Sequence, residues 1–431
     1  LKEPLSHKLF WGGYNLALGG TGLVVSPYLV YRLATTPRWR VGWDERIALT
    51  VPPVPSGSPS LWIHAVSVGE VIAVSPLVMR VRECYPDATI YLSTVTETGK
   101  DTALEKVGRY IDHHLYLPLD WSPLINRVAK RVRPDLLLVV ETEIWPNLYR
   151  AVRIQGGKVM LVNGRISSSS FGGYSRIGPL LRRVLDYVDI ISLQSSRDAA
   201  RILSLGAPMK KVIVTGNLKY DQAIIQLEKV DSQEIRKTFG LRGDERVLVA
   251  GSTHPGEEEI VIDAFKTLHK TYPELVLLLA PRHPRRREEV EAVLRGRNQL
   301  WVKRTCIGER KREPVILLDT VGELAGAYSM AQVAFVGGSL VEKGGHNPLE
   351  PAFFKVPIVM GNSYHNFRDI LNALLENRGV VLTSARNLER DLAYLLSHPA
   401  EAREMGEAAH RVLLKNRGAL DHHMKLIESL L

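Results

Sequence analysis

The 431-residue chain is 45% hydrophobic and 24% charged, has a formal net charge of +10, and holds two cysteines, Cys84 and Cys306. That length allows two to three domains of roughly 150 residues, with cores large enough to need no cross-links. Two distant cysteines without a CxxC argue against a disulfide framework or a structural zinc site, and no basic helix face, finger or RNP pattern points to nucleic acid.

The chain opens on an apolar run. No charge interrupts LFWGGYNLALGGTGLVVSPYLVY between Lys8 and Arg32. A bilayer span takes about 20 residues, so the run is long enough to cross one. Its aromatics lie towards the ends, where interfacial anchors belong. Five glycines and Pro27 weaken its helical propensity. An amphipathic or buried helix is the alternative reading. No small-x-small site comes after it, so a cleaved signal peptide fits poorly. We expect residues 1–50 to form a membrane-associated segment. Arg32, Arg38 and Arg40 lie after the run and Lys2 and Lys8 precede it. That slight excess favours a cytoplasmic catalytic body.

After VPPVPSGSPS (51–60), which reads as a flexible connector, apolar runs alternate with helical patterns. The strand-like runs are 61–66, 89–94, 136–141, 158–163, 189–194 and 211–216. A second series occupies 247–253, 275–281, 315–319, 333–339, 356–361 and 380–383. Near-continuous β-branched runs separated by helices predict parallel strands covered on both faces. Two series predict two doubly wound α/β domains, at 51–225 and 244–431, joined by a linker at 226–243 that carries a polar helical stretch, LEKVDSQEIRKTFG (227–240). The last 40 or so residues read as helices of the second domain.

Ligands in such sheets bind beyond the carboxyl ends of the strands, so the residues just past each strand are informative. After the first comes Ser67-Val68-Gly69-Glu70, with Glu70 in the first turn of a helix. The dipole there favours an ionised carboxylate, either as a general base or merely as a complement to the dipole. After the third comes ETEIWPN, with Glu141 and Glu143, which spacing alone does not separate. The fourth leads to Arg165, a phosphate ligand or a plain surface arginine. The sixth leads to Lys219, placed to offset developing negative charge.

In the second series, His254-Pro255-Gly256 precedes three glutamates, a strong helix start. Pro281 and Arg282 end the next strand, ahead of Arg285, Arg286 and Arg287. Val321, Gly322 and Glu323 turn into another helix. The most specific stretch is GGSLVEKGGHNPLEP, 337–351. Asn347 reads as an N-cap and Pro348 as N1, so the helix start should present free N–H groups to a phosphate. Glu350 suits a ribose diol. The stretch is neither Walker A nor GxGxxG, which disfavours ATP hydrolysis and dinucleotide redox chemistry.

WIHAVSVGE, ETEIWPNL, NGRIS, GNLKYD, STHPGEEE, PRHP, VGEL, FVGGSLVEKGGHNPLEPA and GNSYHNF occur in this order across about residues 60–370. Together they resemble the 3-deoxy-D-manno-octulosonic acid (Kdo) transferases. The resemblance implies a GT-B fold, two Rossmann-like domains facing a cleft. It implies Kdo transfer from CMP-Kdo to the lipid A precursor lipid IVA, at the cytoplasmic face of the inner membrane. It makes Glu70 the catalytic base and matches Glu141 and Lys219 to positions that stabilise the transition state. Pro281 and Arg282, Val321 to Glu323, and Asn347, Pro348, Leu349 and Glu350 match the CMP-binding stretches. It implies neither metal nor cofactor. Other GT-B enzymes, a UDP-dependent lipid glycosyltransferase or a nucleotide-sugar epimerase, are the alternative.

Overall fold

The computed structural model describes residues 5–36 and 40–431, apart from the side chains at 5–7, 168 and 169. Lys2 and Arg38, two of the charges flanking the apolar run, lie outside the described residues. The chain divides into two compact units, Leu1–Gln222 with Arg417–Leu431, and Ala223–Asn416.

The first unit holds a parallel sheet of β1 (Ser60–His64), β2 (Thr89–Thr94), β3 (His113–Tyr116), β4 (Leu136–Val140), β5 (Lys158–Gly164), β6 (Ile190–Leu193) and β7 (Val212–Val214). The order is β3-β2-β1-β4-β5-β6-β7. Its near-continuous apolar runs follow from the two-residue period of a strand buried on both faces. Trp62, Tyr91, Leu137, Val139, Val159 and Leu161 enter one core. Leu61, Ile63, Ile90, Leu92, Leu136, Leu138 and Val140 enter the other. Each such side chain contributes roughly 1.5–3 kcal/mol through burial.

The second unit repeats the plan with β8 (Arg246–Thr253), β9 (Leu275–Pro281), β10 (Trp301–Lys303), β11 (Val315–Leu317), β12 (Ala331–Val336), β13 (Ile358–Met360) and β14 (Val381–Leu382). Its order is β10-β11-β9-β8-β12-β13-β14, all parallel. In each sheet the connections reverse direction once, between β1 and β4 and between β8 and β12. These are the places where an open α/β sheet leaves a crevice for a ligand.

Four expectations change. The connector at 51–60 is pinned: Tyr91 Oη donates to Pro53 O at 2.8 Å, and the Ser56 and Gly57 amides donate to Thr89 Oγ1 at 3.0 and 2.8 Å. Residues beyond 40 fold onto the first unit, with Ala48 fully buried and the Arg46 guanidinium 4.7 Å from the Tyr116 ring centre. The stretch 226–243 forms its helix at Ser232–Thr238, but it belongs to the second unit rather than joining the two, with Phe239 a core residue there. The last helix, Ala419–Leu430, belongs to the first unit, where Leu420, Met424 and Ile427 complete a core. The sequence marks the last 40 or so residues as helical but carries no information about which sheet this helix covers.

The apolar N-terminal run is a helix, Leu5–Thr35. Its first turns pack on the first unit. Trp11 is buried and donates to Tyr187 Oη at 3.0 Å, and Asn15 exchanges amide hydrogen bonds with Asn147, both 3.0 Å. Beyond them Leu16, Leu23, Val24, Val30 and Tyr31 are exposed. Lys8–Thr35 is long and apolar enough to cross a membrane, and exposed apolar length of this kind is what a bilayer covers.

Candidate active site

In the first unit β1 delivers Ser67-Val68-Gly69-Glu70 to the start of the helix Val68–Cys84. Glu70 turns back on its own helix start. Its Oε2 accepts from the Val66 amide at 2.7 Å and its Oε1 from Ser67 Oγ at 3.0 Å. The sequence suggested that the helix dipole keeps this carboxylate ionised. Burial, with the Glu141 and Glu143 carboxylates nearby, pushes the Glu70 pKa up to about 7, against the lowering effect of the two hydrogen bonds. A carboxyl poised there exchanges protons near neutral pH.

Glu141 and Glu143 come from the end of β4. The strand stops at Val140, and Glu141 adopts a left-handed φ of 57°. The turn is fixed from behind, since the Arg165 amide donates to Thr142 Oγ1 at 2.9 Å and Tyr174 Oη to Thr142 O at 3.0 Å. Burial, then the Glu141 charge, raises the Glu143 pKa. Lys219 belongs to the same group. Burial lowers its pKa, Glu141 opposes that, and Arg165 adds to it. So Glu70, Glu141, Glu143, Arg165 and Lys219 meet at the carboxyl edge of this sheet.

The Lys219 segment is held by residues that sequence reasoning did not single out. Asn163, at φ 56°, accepts the Leu218 amide on Oδ1 at 3.0 Å. Asn217 Oδ1 accepts the Lys219 amide at 3.0 Å, and Asn217 donates to Gln194 Oε1 at 2.9 Å. His423, on the returning C-terminal helix, accepts the Asn163 amide on Nε2 at 3.1 Å and meets Ala419 O through Nδ1 at 2.6 Å. Nδ1 therefore carries the proton. Burial holds the His423 pKa down at about 4, so the imidazole stays neutral. The only sequence signal was the polar residues closing each strand: Asn163, Gln194 and Asn217.

In the second unit the crevice between β8 and β12 is filled from within. The buried Glu257 carboxylate accepts the amides of Gly338 (2.7 Å), Ser339 (2.9 Å), Leu340 (2.9 Å) and His254 (3.0 Å). The Gly338, Ser339 and Leu340 amides of the glycine-rich loop are thus satisfied by the Glu257 carboxylate. The free-N–H reading of its far end changes. The helix Leu349–Phe353 has five residues. Asn347 Oδ1 accepts the Leu349 amide at 3.1 Å, and Pro351 has no N–H.

What remains there is charge and one carboxyl. Glu350 lies against Asn347 Nδ2 at 3.2 Å. Burial raises its pKa to about 7, while Asn347 and the Arg282 charge lower it. Arg286 is committed elsewhere, to Glu258 at 2.9 Å and Glu289 at 2.8 Å, so Arg282, just past Pro281, stands as the cation of choice. His254 and His346 stack at 5°, with their Nε2 atoms 2.8 Å apart. Burial, with several nearby cations, lowers both pKa values to about 4, so the pair shares one neutral hydrogen bond. Glu323 is held by Arg304 at 2.7 Å, and Val321 is exposed. The structure therefore places Arg282, His346 and Glu350 near one another.

Two doubly wound parallel units, each with its polar residues gathered at the carboxyl strand ends, are the GT-B fold. A profile described as "Glycosyl transferases group 1" matches residues 233–412. UDP-GlcNAc 2-epimerase from Neisseria meningitidis superposes with a TM-score of 0.61 over 86% of this chain and 99% of that one. At 15% identity this likeness establishes the fold alone. The sequence relatives are more specific. A profile described as "3-Deoxy-D-manno-octulosonic-acid transferase (kdotransferase)" matches residues 41–222. The 3-deoxy-D-manno-octulosonic acid transferase of Haemophilus influenzae is 37% identical over 91% of this chain and 92% of its own. That of Bordetella pertussis is 32% identical over 97% and 98%. The chain belongs to the Kdo transferase family, and the epimerase and UDP-dependent readings fall away.

Proposed function

We propose that this Kdo transferase moves Kdo from CMP-Kdo to lipid IVA by an inverting substitution with Glu70 as the general base. The observation that carries this reading is the placement of Glu70, a buried carboxyl at the carboxyl edge of the first sheet with Glu141 and Glu143 close by, which together raise its pKa to about 7. Glu70 takes the proton of the acceptor hydroxyl, whose oxygen bonds to the anomeric carbon of Kdo. The bond from that carbon to the CMP phosphate breaks, and its electron pair leaves with the phosphate. The transition state has oxocarbenium character at carbon and negative charge on the departing oxygen. Glu141 and Lys219 face those two charges, and a preorganised pair of this kind needs no reorganisation as the charges develop.

Arg282 and Pro281 receive the CMP phosphate side, Glu350 with Asn347 the ribose, and Val321 to Glu323 the remainder of the nucleotide. Pro348 and Leu349 hold Asn347 and Glu350 in register, since Asn347 Oδ1 caps the Leu349 amide. Phosphate leaves well without a protein acid, so none is assigned. The exposed apolar helix at Lys8–Thr35 and the net charge of +10 suit an anionic lipid acceptor at the cytoplasmic face of the inner membrane.

Glu70→Ala tests the assignment. The variant is expected to lose transfer by at least about a hundredfold, the usual scale for removing a general base, while CMP still raises its melting temperature. Turnover at the wild-type rate removes Glu70 as the base.

A further inference from the structure

The GNSYHNF segment, 361–367, has no part in the site so far, yet it forms one wall of a cavity of about 980 Å3 within the second unit. The cavity lies at the carboxyl ends of β12, β13 and β14, beside the filled crevice. Its volume is at the upper end of the roughly 300–1,000 Å3 usual for small-molecule sites. Ser339, Asn362, Ser363, Asn372 and Ser384 line it with hydroxyls and amides, and Arg368 is its arginine.

We propose that this cavity seats the sugar-acid half of the donor, with Arg368 as the counter-charge to its carboxylate. The inference rests on the CMP-Kdo reading above and extends it to the part of the donor that the nucleotide residues leave unassigned. Three observations carry it.

The first is chemistry. The lining of hydroxyls and amides matches a polyol, and one guanidinium matches one carboxylate. The planar fork of arginine takes a carboxylate in two parallel hydrogen bonds. Arg368 is exposed at the start of the helix Arg368–Glu376, and its side chain forms no ion pair or hydrogen bond among the described residues. Glu342, the one carboxylate among the lining residues, is exposed and accepts sugar hydroxyls.

The second is rigidity. The Ser363 amide donates to Ser339 O at 2.9 Å, the Gly344 amide to Ser363 Oγ at 3.0 Å, and Asn366 Nδ2 to Lys343 O at 2.9 Å. Gly344 has φ +84°, and a Cβ there would stand 2.5 Å from His365 Nε2. Only glycine lets the two loops close on each other at this point. The walls are thus set before a ligand arrives.

The third is continuity. Ser339 to Glu342 line the cavity, and the same loop runs on to His346 and Asn347, at the proposed ribose end. A donor whose nucleotide lies on Arg282 and Glu350 has its sugar next to this loop.

The test uses the full chain in detergent with CMP-Kdo, lipid IVA and CMP as competitor, on wild type, Arg368→Ala and Arg368→Lys. Arg368→Ala is expected to raise KM for CMP-Kdo about tenfold or more, the order of one lost charge-assisted pair, with the inhibition constant of CMP within about twofold of wild type. Arg368→Lys is expected to recover part of the loss, since charge returns without the fork. An unchanged KM in Arg368→Ala, with CMP still competing, overturns the inference alone. An equal loss of CMP and CMP-Kdo binding also overturns it, because Arg368 then serves the nucleotide or the fold. Failure of CMP to compete in the wild type sinks the donor reading, and the inference with it.

Discussion

At the residue scale the proposed chemistry turns on how Glu70 is held. Burial disfavours its charge, and Glu141 and Glu143 add to that; the Val66 amide and Ser67 hydroxyl pull the other way. The net value of about 7 makes a sign prediction. A base works only when deprotonated, so kcat/KM should fall about tenfold for each pH unit on the acid side of its pKa and level off above it. Glu143→Gln removes one repelling carboxylate. The acid limb of the kcat/KM profile should then move to lower pH, and a limb that stays put or moves up contradicts the electrostatic account. The position of Glu70 after β1 was legible in the sequence but its ionisation was not, because the opposing carboxylates arrive from β4, some seventy positions later. Glu257 shows the same limit. From sequence it is one of three glutamates in a helix start, whereas its partners are Gly338, Ser339 and Leu340, some eighty residues on.

At the element scale the long apolar strands were legible because burial on both faces leaves a continuous run. The edge strands β3 and β10 were not: HHLY and WVK are short, and β3 is only half buried. The N-terminal helix was legible from its length and freedom from charge, but not its division of labour. Trp11 and Asn15 dock it to the first unit, while Leu9 and the turns beyond Asn15 expose apolar side chains. A test should spare the docked turns. Leu23→Glu with Val24→Glu places two charges on exposed positions, at a cost of about 2.5–3.5 kcal/mol each at the centre of a bilayer. The full chain is expected to sediment with membranes in high salt, and the double variant to move to the supernatant without loss of melting temperature. Sedimentation of the variant with membranes would rule out the helix as the anchor.

At the scale of the whole molecule the two units divide the chemistry. The first, closed by the C-terminal helix that carries His423, holds Glu70, the proposed base, with Glu141 and Lys219 beside it. The second holds the groups assigned to the donor. The repeated sheet plan was legible from two series of strand runs. The return of Arg417–Leu431 to the first unit was not, because an amphipathic helix encodes which face is buried but not by what. In the glycine-rich stretch with which the second unit attracts attention, Glu257 occupies the amides of Gly338, Ser339 and Leu340, and the proposed donor groups are Arg282, Asn347, Glu350 and the cavity beyond. The central claim, Kdo transfer by a base at residue 70, is tested most directly by mass spectrometry of lipid IVA after incubation with CMP-Kdo. The account predicts that wild type adds the mass of Kdo to the lipid and that Glu70→Ala leaves lipid IVA unmodified. Unmodified lipid with the wild type, or Kdo-bearing lipid formed as fast by Glu70→Ala, would contradict it.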